Sequence, residues 1–168
     1  LDKLCAEAST SDEPVQVAND NCPGQVVISG ATAALDRVLA LAQQAGARRA
    51  VKLAVSIAAH SPLMAHAQAD FNRAVNAAPI RDASIPLVGN VTASPLHTAG
   101  EIRADLQAQL RSRVRWTETI QWMASQGVTT FIELGSGSVL AGLIKRIDKQ
   151  ATVLSLGSPA DFEKLNVG

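Results

Sequence analysis

The chain has 168 residues, 47% hydrophobic and 18% charged, which is enough apolar material to bury a core and too much for a disordered segment. Fifteen basic and fifteen acidic side chains cancel, so no overall field favours nucleic acid or an anionic membrane surface, and any charged partner must be met by a local patch. No stretch reaches the roughly 18 unbroken apolar residues of a membrane span, nothing at the start reads as a signal peptide, and Cys5 and Cys22 are too few for a disulfide framework, so a cytoplasmic setting is expected.

The chain opens at Leu1, without methionine, inside a stretch (1–9) that reads as a helix under way, and a fragment of a longer protein is expected. A strand (14–20), a turn at Asn21-Cys22-Pro23-Gly24, a strand (25–30), a helix (32–45) and a strand (49–57) follow. The Pro-Gly pair reverses the chain. In the helix, Leu35, Val38, Leu39 and Ala42 recur at three- and four-residue spacing after a capping Thr32, and Gly46 ends it. One strand ahead of Leu1 would complete the split β-α-β order of a ferredoxin-like lobe, and its absence again points to truncation.

Beyond His60 the reading is a helix (62–77), a strand (86–90), helices (99–110 and 116–126), a strand (130–134), a Gly-Ser turn, a helix (139–147) and a strand (152–156). Strands alternating with helices predict a mainly parallel α/β sheet. Such a sheet is covered on both faces, so with two or three strands here most of it is expected elsewhere.

The first residue with chemistry to offer is His60, in Ile57-Ala58-Ala59-His60-Ser61-Pro62-Leu63-Met64, where an apolar strand ends and a helix begins with proline in its first turn. The carboxyl ends of strands in an open α/β sheet are where sites gather, and histidine exchanges protons near neutral pH. The plainer alternative is a histidine that only hydrogen-bonds in a crowded turn. His66 and His97 read as surface residues, and with no cysteine or carboxylate at ligand spacing neither zinc nor another cofactor is expected.

A rival lies at Glu133-Leu134-Gly135-Ser136-Gly137-Ser138-Val139-Leu140, since strand, glycine turn and helix together can present a nucleophile or cradle a phosphate. Neither pattern fits. A nucleophile elbow needs Gly-x-Ser-x-Gly, and a dinucleotide fingerprint needs glycine where Leu140 stands. A tight turn is expected instead.

Five collinear stretches resemble the carboxy-terminal part of the malonyl-CoA:acyl carrier protein transacylases, the acyltransferase family of fatty-acid and polyketide synthesis. They are Asn21-Cys22-Pro23-Gly24-Gln25-Val26-Val27-Ile28-Ser29-Gly30, Ala59-His60-Ser61-Pro62-Leu63-Met64, Asn90-Val91-Thr92-Ala93, Gln109-Leu110 through Val114-Arg115-Trp116, and Glu133-Leu134-Gly135 through Gly142-Leu143-Ile144-Lys145-Arg146. The resemblance implies an α/β fold: residues 1–58 as a ferredoxin-like small subdomain without its first strand, and 59–168 as the carboxy-terminal part of an α/β-hydrolase-like core.

It also implies a reaction. A serine in a Gly-His-Ser-x-Gly elbow takes malonyl from CoA as an ester, and the phosphopantetheine thiol of acyl carrier protein removes it, which is ping-pong covalent catalysis. His60, matching the family's His-Ser-x-Leu-Met motif, inherits the role of base. Its second nitrogen is oriented by the segment matching Gln109, through a backbone carbonyl, and Asn21 matches an asparagine near the histidine. Arg48, Arg49, Lys145 and Arg146 match basic positions that dock the acidic carrier protein. Ala59 departs from the phenylalanine that crowds an α-methyl group in malonyl-selective relatives, Arg113 and Ser136 replace prolines, and the elbow, the malonate-binding arginine and the oxyanion donors fall outside these residues. A noncatalytic module that binds carrier protein or phosphopantetheine is the alternative. A hydrolase is disfavoured, because an inserted ferredoxin-like lobe is not a general hydrolase feature.

Overall fold

The computed structural model describes residues 1–165, and the Pro23-Gly24 reversal organises its first part. Strand β1 (Val15–Cys22) and strand β2 (Gln25–Gly30) pair antiparallel, with Cys22 opposite Gln25, Val15 opposite Gly30 and Gly24 at φ +80°. β1 runs two residues further than the sequence predicts, so Asn21 lies within the strand rather than in the turn. The pairing skips Ala18 and Asn21, two irregularities of the kind that bend a strand away from its partner. Helices α1 (Asp2–Ala8) and α2 (Thr32–Gln44) cover one face, and Cys5, Ala8, Val15, Val17, Ala34 and Val38 form the first buried cluster. Gly30 is there for space: a Cβ would lie 2.2 Å from the Pro14 carbonyl oxygen and 2.5 Å from Val15 Cα.

Two expectations for this part fail. Thr32 is not the cap of α2; Ala31 occupies that position and makes no side-chain capping bond. The strand predicted at 49–57 is irregular, and Val51, Leu53, Val55 and Ile57 are 55%, 59%, 68% and 59% exposed. Period-two apolar spacing makes a chain suitable for a sheet, but the extended conformation is held by a ladder of backbone hydrogen bonds, and no described segment supplies one here.

The predicted helix at 62–77 divides into a 3₁₀ segment (Pro62–Ala67), capped by Ser61, and helix α3 (Gln68–Ala77). The strand expected at 86–90 shrinks to β3 (Leu87–Val88), paired antiparallel with β4 (Pro95–Leu96). Helix α4 (Ala99–Ala108) starts from a capping box made by Thr98 and Glu101, and helix α5 (Trp116–Ser125) follows. Strands β5 (Thr130–Leu134) and β6 (Thr152–Leu156) pair in parallel through helix α6 (Val139–Ile147), and a 3₁₀ turn (Pro159–Lys164) ends the described part.

Ile120, Phe131, Ile144 and Ala151 form the second buried cluster. Strand β1 joins the two clusters: Val114 N–H donates to the Ala18 carbonyl at 2.8 Å, and Asp20 N–H donates to Val114 at 2.9 Å. The Thr117 hydroxyl donates to the Asp20 carboxylate at 2.8 Å, and Arg113 pairs with Asp2. The sheets are short, and Ile132 and Leu134 of β5 are 47% and 69% exposed. Among the described residues no helix is long and apolar enough to cross a membrane.

Candidate active site

His60 follows the irregular 49–57 segment and takes φ +58°, in the left-handed region that few residues other than glycine adopt, asparagine, aspartate and histidine more often than most. Departures of this kind cluster at functional sites. The next residue locks the turn: Ser61, fully buried, donates its hydroxyl to the Ala58 carbonyl at 2.7 Å and accepts from Leu63 N–H at 3.3 Å. Its oxygen is committed to local structure and is no nucleophile.

The His60 ring is half-buried, with Nδ1 2.7 Å from the backbone carbonyl oxygen of Gln109. A carbonyl only accepts, so Nδ1 carries the proton and the neutral ring keeps its lone pair on Nε2. Gln109 is the residue that ends α4, and its carbonyl belongs to the last turn, where a helix leaves oxygens without partners. The sequence offers no spacing signal for a backbone acceptor 49 residues away. A second contact has none either: the Gln16 side-chain amide donates to the carbonyls of both His60 and Arg111, each at 2.7 Å. A cleft of about 370 Å³ opens here, lined by Gln16, Pro62, Gln68, Ala108, Arg111 and Ser112.

Asn21 stands near the opposite end of β1 from Gln16, where it lines a second hollow of about 290 Å³ with Asn19, Asn90, Trp116 and Leu140. The glycine turn is structural: Glu133 accepts from the N–H groups of Leu140 at 3.0 Å and Ala141 at 2.8 Å, filling the N-terminus of α6 that a phosphate would need. These bonds hold the Glu133 carboxyl below the usual carboxylate range. A lowered carboxylate contributes stability above its unfolded pKa, so this cap is present at neutral pH and is lost as acid protonates it. His66 and His97 are exposed, and among the described residues no group of three or more metal-binding side chains comes together.

The basic pairs differ. Arg48 and Arg49 are exposed just beyond α2, and among the described residues neither makes a side-chain hydrogen bond or ion pair. Lys145 and Arg146 are engaged: Lys145 Nζ donates to the Ala151 carbonyl, and Arg146 donates to Gln25 Oε1 at 2.7 Å and to the Pro23 carbonyl at 3.0 Å.

The family model described as acyl transferase domain matches residues 3–158. The chain belongs to that family. It is 40% identical over 149 residues to a malonyl CoA-acyl carrier protein transacylase of Bacillus subtilis, a match covering 89% of this chain and 47% of that protein. Among solved structures, the malonyl-CoA:acyl carrier protein transacylase of Xanthomonas oryzae pv. oryzae superposes with a TM-score of 0.90 at 45% identity, covering 97% of this chain and 52% of that one. A malonyl-transacylase in complex with a type II polyketide acyl carrier protein superposes with a TM-score of 0.91 at 36% identity, covering 97% and 52%. The chain thus spans about half the length of these relatives, and the mixed helix and strand arrangement is that of the acyltransferase fold. Two of the chain's departures from the acyltransferase pattern now have surroundings. Arg113 uses its charge on Asp2 of α1, and Ser136 sits between Gly135 and Gly137, which take φ +134° and +89°.

Proposed function

We propose that the protein carrying this chain transfers a malonyl group from malonyl-CoA to the phosphopantetheine thiol of acyl carrier protein, in the cytoplasm, with His60 as the base. The lobe formed by residues 1–58 corresponds in this reading to the ferredoxin-like subdomain, and 59–168 to part of the hydrolase-like core. The observation that carries it is the His60 Nδ1 contact with the Gln109 carbonyl at 2.7 Å, because it leaves Nε2 as the nitrogen able to take a proton. A serine hydroxyl attacks the thioester carbonyl, its proton passes to Nε2, and the departing CoA thiolate takes that proton. The carrier thiol then repeats the sequence in reverse on the malonyl ester. The serine and its oxyanion donors are not among these residues, so the chemistry is completed by other parts of the protein.

The test uses radiolabelled malonyl-CoA and protein of the relatives' full length. Label should appear covalently on the protein and leave it when carrier protein bearing phosphopantetheine is added. No covalent label, or label that the carrier cannot remove, would overturn the reading.

Carrier docking is assigned to Arg48 and Arg49, whose charges are unspent, with Lys145 and Arg146 contributing to the same field from α6. Reversing Arg48 and Arg49 to glutamate should raise the KM for carrier protein about tenfold, within the range over which electrostatic steering alters encounter. Acylation by malonyl-CoA should be unchanged. Equal losses in both half-reactions would remove these arginines from the docking surface.

A further inference from the structure

We propose that Gln16 and Gln68 are positioning residues that hold the carboxyl end of α4 so that the Gln109 carbonyl faces the His60 ring, an inference that rests on the reading of His60 as the base. The carbonyls at the end of α4 and just beyond it divide into two sets. Those of Asp105, Leu106 and Ala108 accept backbone N–H groups, from Gln109 at 3.1 and 3.2 Å and from Arg111 and Ser112 at 3.2 and 3.0 Å. Those of Gln107, Gln109 and Arg111 accept side chains: Gln68 Nε2 at 2.8 Å, His60 Nδ1 at 2.7 Å and Gln16 Nε2 at 2.7 Å. Three alternate carbonyls are thus met by side chains from three places, α3, the His60 turn and β1. The histidine is the middle one.

Each glutamine is tied at its other N–H. Gln16 donates to the His60 carbonyl at 2.7 Å, and Gln68 donates to Asn72 Oδ1 at 2.7 Å. Both partners of Gln16 are carbonyls, which only accept, so its amide has a single orientation that satisfies them. One amide group therefore fixes the backbone of His60 relative to that of Arg111, two residues beyond the oxygen that orients the ring. This matters because the carbonyl lies past the regular helix, where ends fray. A displacement of about 1 Å in a catalytic arrangement lowers rate by roughly 10²-fold. The ring is set by a backbone oxygen with no rotamer of its own, so the precision has to come from whatever grips that backbone.

The experiment compares Gln16→Leu and Gln68→Leu with wild type in the full-length protein, since leucine keeps bulk and removes both donors. Each should lower kcat for malonyl transfer by about tenfold, less than a full 1 Å misplacement, with KM for malonyl-CoA unchanged. Nitrogen NMR of the His60 ring in alkaline buffer should show the Nδ1–H tautomer in wild type and a mixture of tautomers in Gln16→Leu. Wild-type kcat with a single tautomer in both variants overturns the inference. So does a loss of kcat matched by loss of folded protein with the tautomer unchanged, which would make the glutamines structural. His60→Ala in the same assay separates the two levels: an active His60→Ala defeats the base reading itself, whereas an inactive His60→Ala beside fully active glutamine variants defeats only the clamp.

Discussion

Replacing His60 with alanine in the full-length protein should lower malonyl transfer by about 10²- to 10⁴-fold, the range a positioned general base contributes. The loss should fall on chemistry. Rapid-quench measurement of the acylation step should slow with the KM for malonyl-CoA nearly unchanged, because the group removed handles a proton and the thioester is held elsewhere. The ring and Gln109 are both only partly buried, and among the described residues the ring makes one hydrogen bond, to the Gln109 carbonyl. Water can reach that oxygen when the ring is gone, so the melting temperature should move by only a few degrees, on the scale of one solvated hydrogen bond. Full activity in His60→Ala would end the assignment.

The largest effect on stability is expected at Gly30. Alanine there places its Cβ 2.2 Å from the Pro14 carbonyl oxygen and 2.5 Å from Val15 Cα, both backbone atoms of the facing chain that cannot rotate aside. Overpacking of a side chain typically costs about 1–3 kcal/mol, and a clash with backbone belongs at the top of that range, about 3 kcal/mol by denaturant titration. Residues 14 and 15 adjoin Gln16, so the distortion should reach the site. Gly142→Ala is the control. It lies in α6 with nothing within 4 Å of its added Cβ, and alanine should stabilise it by about 0.8–1.0 kcal/mol through helix propensity. Equal effects at the two glycines would show that propensity rather than space decides at Gly30.

Where the local pattern and its partner lie close in sequence, elements were legible. Strands 25–30, 130–134 and 152–156 and helix 139–147 form over the residues predicted, since a Pro-Gly turn or a single crossover helix delivers each strand to its neighbour. The 49–57 segment has a strand's alternation and no described partner, so it stays irregular. Thr32 has a capper's chemistry, yet the helix starts one residue too early for it to act. At the site, His60 stood out because its side-chain type and place between elements are written in the sequence. The group that orients it is a main-chain oxygen, invisible to residue type, and only the family resemblance pointed to the Gln109 segment. Gln16 was missed for the same reason doubled: both its acceptors are backbone oxygens, 44 and 95 residues away. Arg146 shows the same limit: its hydrogen bonds to Gln25 and the Pro23 carbonyl reach 121 and 123 residues back and leave no signal in the sequence.

The φ of +58° at His60 sets two kinds of selection against each other. Glycine occupies that region freely, and asparagine can offset the β-carbon's cost of about 1–2 kcal/mol there by hydrogen-bonding its short amide locally. A search for heat-tolerant variants that ignored turnover would therefore drift toward glycine or asparagine at position 60 and count each as an improvement. Histidine at a position its own backbone disfavours exchanges stability for chemistry, the trade expected at a working site.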